Sequence, residues 1–258
     1  MTFAQTVLLG AIAGFTIYLG LPVGKIKGLS EKFRSFLAMM SAGILIFLLF
    51  DIFHQIEEPV ETVLGQKSYG EFALMLVIAI IGLSAGLLGL IAFEQRFIRS
   101  HIAAHQAMAP AQLAMLIATG IGLHNFSEGL AIGQSAGRGE LAFAAILIVG
   151  FGLHNATEGF GIVGPLMGEK GPSWRFLGLV GLIGGGPTFL GTMVGYYVIS
   201  TSMSILFLSL AAGALLYIIG EMFRLNWRSA IKVQAGWGLL AGFMLAFLTD
   251  LVLVFSGV

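Results

Sequence analysis

Eight apolar runs, each long enough to cross a bilayer as a helix and bounded by charged residues, narrow the folds open to this chain. A bilayer's hydrocarbon core takes about 20 apolar residues per helix at about 1.5 Å rise per residue. The runs lie near 3–24, 34–56, 71–94, 111–135, 140–165, 174–199, 204–223 and 234–256. They predict an all-α membrane protein, an eight-helix transmembrane bundle in which residues 1–258 form one transmembrane domain. Composition agrees. Charged residues make up only 10% of the chain, where a soluble domain carries about 25%, and mean hydropathy is +0.96. No soluble domain of useful size is left over.

The charges also orient the bundle. With eight spans, Lys25, Lys27, Lys32, Arg34, Arg96, Arg99, Lys170, Arg175, Arg224, Arg228 and Lys232 share one side. Only Lys67 and Arg138 fall on the other. The positive-inside rule then puts the first group in the cytoplasm and both termini outside. The N-terminus has no basic stretch before its first apolar run, so that run reads as a retained helix. The expected location is the plasma (inner) membrane, as a multi-pass protein in contact with lipid. Net charge is zero, which leaves no nucleic-acid footprint. There is no Cys, which excludes disulfides, thiolate ligands and thiol catalysis. The 37 glycines include the pairs Gly10/Gly14, Gly82/Gly86 and Gly191/Gly195, whose spacing lets membrane helices approach closely. Glu57, Glu58, Glu61 and Glu71, with Lys67, read as an acidic loop on the outer side.

Ionisable residues inside spans cost about 2.5–3.5 kcal/mol each at the helix centre, so they are functional candidates by default. They are Asp51, His54, His124, Glu128, His154, Glu158, Glu221 and Asp250. Asp250 lies near the outer end of its span, where water can reach it. Four of the others belong to an internal repeat. Residues 122–133 read GLHNFSEGLAIG and residues 152–163 read GLHNATEGFGIV. The shared frame G-L-H-N-x-x-E-G-x-x-I recurs in neighbouring helices. Positions i and i+4 share a helix face, so His124 lies with Glu128, and His154 with Glu158. The short connection near 136–139 makes the two helices antiparallel neighbours. Two imidazoles and two carboxylates converging near the bilayer centre suit a divalent first-row metal, whose charge the two carboxylates balance. Asn125 and Asn155 follow the histidines and offer amide oxygens to a cation, to water or to a neighbouring helix.

These segments resemble the fourth and fifth helices of the ZIP (Zrt/Irt-like protein) family of divalent metal transporters. The matching signatures are HNFSEG at 124–129 and HNATEG at 154–159. SAGILIFLLFDIFHQI, with Asp51, is similar to that family's second helix, and AAGALLYIIGEMF, with Glu221, to its seventh. The resemblance covers nearly the whole chain and fits the compact prokaryotic members. It implies uptake of a divalent cation into the cytoplasm by alternating access at a midplane site. Zinc is the first expectation, with iron, manganese, cobalt and cadmium as further substrates. The metal set implied is His124, Asn125, Glu128, His154, Asn155 and Glu158, with Asp51, His54 and Glu221 as entrance or accessory residues. The metal is substrate, not cofactor; the protein is not read as an enzyme, and a homodimer is an allowed assembly.

Three departures stand out. Ser127 and Thr157 occupy the family's motif-proline positions, where back-bonding to an earlier carbonyl can bend a helix mildly. GGGPTFLG at 184–191 lacks the carboxylate that many members carry in helix six, which leaves one strong metal position and at most a weak second. It also predicts a helix broken over Gly184–Pro187, tolerated where backbone lines a cavity or is buried in protein. The 95–110 loop holds only His101 and His105, whose i, i+4 spacing makes a transient metal stop if the loop is helical; a plain solvated loop is the other reading. Two rivals use similar residues. A proton-coupled carrier of a small solute needs the carboxylates but not paired imidazoles. An intramembrane metallohydrolase commonly uses H-E-x-x-H, which this sequence lacks.

Overall fold

A computed structural model describes residues 2–98, 109–139, 141–167, 171–198, 200–227 and 231–255. Among them are eight α-helices and no strand. They are α1 (Phe3–Phe15), α2 (Glu31–Gly65), α3 (Tyr69–Phe93), α4 (Pro110–Gly137), α5 (Leu141–Val163), α6 (Trp174–Tyr197), α7 (Thr201–Asn226) and α8 (Lys232–Phe255). 3-10 turns over Thr16–Leu19 and Leu21–Lys25 extend α1, and a π turn over Glu94–Ile98 extends α3.

The starts follow cap chemistry. Thr2 accepts from the Gln5 amide while Gln5 accepts from the Thr2 amide, a reciprocal box that satisfies two otherwise orphaned donors. Ser30, Ser173 and Ser200 cap α2, α6 and α7 through their hydroxyls. Pro110 opens α4, where its missing N–H removes nothing from the helix.

Helix α2 runs to Gly65, nine residues past the expected end at 56. Glu57, Glu58 and Glu61 are therefore helical and exposed, not part of a loop. Charge ends the apolar run there but does not end the helix. What ends it is the turn at Lys67, which takes a left-handed φ of 57°. Lys67 N–H donates to Leu64 and Ser68 N–H to Val63, which closes the last turn. Helix α3 then enters with Glu71 in its first turn.

Six helical segments are long and apolar enough to cross a membrane: Phe3–Lys25, Glu31–Gly65, Tyr69–Arg96, Trp174–Tyr197, Thr201–Arg224 and Lys232–Leu251. Among the described residues, α4 and α5 are outside that set, and these are the two helices that carry the polar repeat. On α3 the only buried residues are Gly82 and Gly86, while Leu74, Val77, Ile80, Ile81 and Leu88 are exposed. A contiguous apolar face of that kind fits a lipid solvent better than water.

Close backbone contact holds the bundle. A Cβ on Gly14 would stand 2.3 Å from the Gly185 carbonyl of α6, and one on Gly86 would stand 2.1 Å from the Leu210 carbonyl of α7. Gly191 and Gly195 meet the Phe126 and Leu130 carbonyls of α4 just as tightly. All three glycine pairs singled out by spacing thus lie in helix–helix seams. Without a strong hydrophobic drive between helices in lipid, such van der Waals contact supplies much of the association energy. Helix α4 lies at the centre: from Leu113 to Ala136, Thr119 is its single exposed residue.

Candidate functional site

His124 lies 14 residues from the first residue of α4 and 13 from the last, so the first copy of the repeat sits at the helix midpoint. Its ring is 1% exposed, and Asn125 and Glu128 are buried beside it. The i, i+4 spacing puts His124 Nε2 at 3.4 Å from Glu128 Oε1. On α5, Asn155 and Glu158 are fully buried. His154 lies on the same helix by its backbone, and its side chain is outside the described residues.

The two copies meet through their asparagines. Asn125 Nδ2 donates to Asn155 Oδ1 at 2.5 Å and to the Gly184 carbonyl of α6 at 3.0 Å. Asn155 Nδ2 donates to Glu128 Oε2 at 3.1 Å and to the Phe151 carbonyl at 2.8 Å. Each carboxamide therefore uses both of its N–H groups. The asparagines bond across helices, one of the roles the sequence leaves open for them. Glu128 takes one bond from α5 through Oε2 and faces His124 through Oε1. Glu158 interacts electrostatically with Glu128, His124 and Asp51, and Asn125 lies in hydrogen-bonding reach of it. The cluster joins α4, α5 and α6 and feels Asp51 of α2.

Among the described residues, no three His, Asp or Glu side chains are close enough to hold a metal ion together. What the cluster holds is the His124–Glu128 pair, the two carboxamides bonded to each other and to Glu128, and Glu158 linked to the pair electrostatically. This is a nitrogen and oxygen set in a dry, mid-helix position, compatible with a borderline divalent cation.

Asp51 is half-buried on α2 and accepts from Gln55 Nε2 at 2.7 Å. His54, expected beside it, is exposed. Gln55, being neutral, does not stand out in an apolar run as the ionisable residues do. The i, i+4 rule holds for amides too. Asp250 of α8 is half-buried and electrostatically linked to Asp51 and His54. Glu221 is held by Arg224, with Nε at 3.0 Å from both carboxylate oxygens and Nη2 at 2.5 Å from Oε2. His101 and His105 lie outside the described residues.

The expected break in α6 is absent. Pro187 stands inside a continuous helix from Trp174 to Tyr197. Three residues before it, the Gly184 carbonyl accepts from Asn125 of α4, the kind of inter-helix bond by which membrane helices tolerate a proline. Ser127 does not back-bond: its buried hydroxyl makes no hydrogen bond among the described residues. One further carboxyl is buried at the end of α3. Glu94, 4% exposed, accepts from the Tyr217 hydroxyl of α7. Only tertiary contact brings those two together, so no local pattern announces them. No family model matches the chain, and no curated protein does.

Proposed function

We infer that the chain is a transporter of the ZIP type, moving divalent transition-metal cations into the cytoplasm, with zinc as the preferred ion. In this reading eight helices span the plasma (inner) membrane with both termini outside. The observation that carries it is the paired H-N-x-x-E repeat, whose copies are joined at mid-helix depth by the bond between Asn125 and Asn155. A lone buried His or Glu has ordinary structural explanations. Two linked copies in an apolar bundle do not, because buried ionisable groups in membranes mark pathways and relays.

The cation passes Asp51 from the outer side, with Gln55 and Asp250 beside it. It then exchanges water for His124, Glu128, His154 and Glu158. A rigid-body shift of helices exposes the site to the cytoplasm, as in secondary transporters with midplane sites. Release needs an open or partly hydrated shell, since a closed four-ligand site traps zinc. Proton uptake by a carboxylate favours release, because metal ligands bind in their deprotonated form.

Equilibrium zinc binding to purified protein tests the site. Wild type is expected to bind saturably. Glu128→Gln/Glu158→Gln is expected to bind at least about tenfold more weakly, the lower end of what disturbing a metal shell costs. Equal binding by both proteins, or none by wild type, contradicts the proposal.

A further inference from the structure

Pro187 lies outside the repeat, yet its consequences reach the buried cluster. Proline has no N–H, so the Ile183 carbonyl one turn earlier receives no bond from position 187. Helix α4 packs against that point. A Cβ on Gly122 would stand 2.3 Å from Ile183 O and 3.3 Å from Pro187 Cγ, so only glycine lets α4 approach. The next carbonyl of α6, that of Gly184, accepts from Asn125 Nδ2 at 3.0 Å. The stretch of α6 that proline disturbs is therefore the stretch that Asn125 reads.

That contact fixes the direction of Asn125, the α6 end of the chain of bonds. A carbonyl only accepts, so Asn125 must turn its NH2 toward Gly184. The same NH2 then donates to Asn155 Oδ1 at 2.5 Å. With its oxygen used in this way, Asn155 must present its NH2 to Glu128 Oε2, at 3.1 Å. Reversing Asn125 would set its oxygen against two acceptors, Gly184 O and Asn155 Oδ1. Two backbone carbonyls, Gly184 O for Asn125 and Phe151 O for Asn155, thus agree on which way the carboxamides point, and Glu128 meets a donor instead of another oxygen.

We propose that Pro187 is a positioning residue: by shaping α6 beneath Gly122 and Asn125, it aims the Asn125–Asn155 pair and fixes how Glu128 is presented to the substrate cation. The presentation to a cation rests on the transport reading above. The positioning itself does not, and the two are tested apart.

A thermal double-mutant cycle on metal-free protein in lipid nanodiscs tests the positioning. The proteins are wild type, Pro187→Ala, Asn125→Ala and the double variant. If Pro187 acts through Asn125, the double variant melts no lower than Asn125→Ala alone, because residues sharing a network are not additive. Additive melting shifts overturn the proposal. If Asn125→Ala does not accumulate, Asn155→Ala takes its place under the same criterion. Metal influx by Pro187→Ala then reads the consequence. Its KM is expected to rise about threefold to tenfold with kcat little changed, as for loss of one well-placed hydrogen bond. A fall in kcat alone, or an unchanged KM, overturns the link to Glu128. No influx by wild type counts against the transport reading and leaves the result of the cycle standing.

Discussion

Asn125 and Asn155, 30 residues apart, are bonded to each other through side-chain atoms, with Nδ2 of the first at 2.5 Å from Oδ1 of the second. They hold the same position in the two copies of the repeat, so the repeat is a physical pair as well as a sequence pair. The bond is directional. Asn125 gives, Asn155 receives and passes a donor on to Glu128. Two copies of one motif thus do different work, and equivalent substitutions in them should have unequal effects.

Asn155→Leu removes the acceptor for Asn125 and the donor for Glu128 together. A buried group left short of a partner costs about 1–3 kcal/mol. The expected loss of stability is at least that, and larger than for Asn125→Leu, which leaves the Asn155 donor on Glu128 in place. Denaturation of both variants in the same mixed micelles measures the difference. Equal losses would show that the direction of the bond has no energetic weight.

Glycines divide cleanly by what a methyl would meet. On Gly129 a Cβ would stand 2.2 Å from the Thr188 carbonyl, while on Gly178 it would meet nothing within 4 Å. Gly129→Ala should destabilise by about 1–3 kcal/mol through overpacking against backbone. Gly178→Ala should be neutral, or stabilising by up to about 1 kcal/mol from helix propensity. Melting of the two single variants checks the contrast.

Gln55 should matter where His54 does not. Gln55 holds Asp51 by a 2.7 Å bond and His54 is exposed. Gln55→Leu is expected to lower metal influx about tenfold or more, in the range of one lost hydrogen bond to a charged group, about 1.5–3 kcal/mol. His54→Ala should stay near wild type. Influx assays on both variants decide it, and a reversed order would move the entrance role back to His54.

Tyr217→Phe removes a hydroxyl that donates to the buried Glu94 carboxylate. The expected destabilisation is about 1–3 kcal/mol. Glu94→Gln/Tyr217→Phe should lose less than the sum of the two single changes, because the pair is coupled. Equilibrium unfolding of the four proteins supplies the cycle.

Much of the architecture is legible in the sequence because membrane helices obey simple constraints. Apolar length announces helices, and Gly14, Gly86 and Gly191 announce the seams in which they lie. The repeat announces the buried cluster, since His, Asn and Glu in two matching apolar settings are improbable by composition. Other features depend on contacts that sequence does not display. Glu57, Glu58 and Glu61 interrupt hydropathy, yet the backbone continues as helix to Gly65 because helix formation tolerates charge where water is present. Pro187 suggests a break, yet α6 continues through it, with Gly122 and Asn125 of α4 packed against Ile183 and Gly184. The partners Gln55 for Asp51, Arg224 for Glu221 and Tyr217 for Glu94 are decided by side-chain geometry, and only the first two lie within one turn.

The most direct test is metal influx into proteoliposomes of purified protein, with zinc, cadmium, manganese and iron(II) offered in turn. Wild type is run beside His124→Ala/Glu158→Ala. Saturable influx of at least one ion, zinc foremost, abolished in the double variant, is the expected result. If wild type leaves every ion outside, or the double variant carries the ion as well as wild type does, transport through the paired repeat is contradicted.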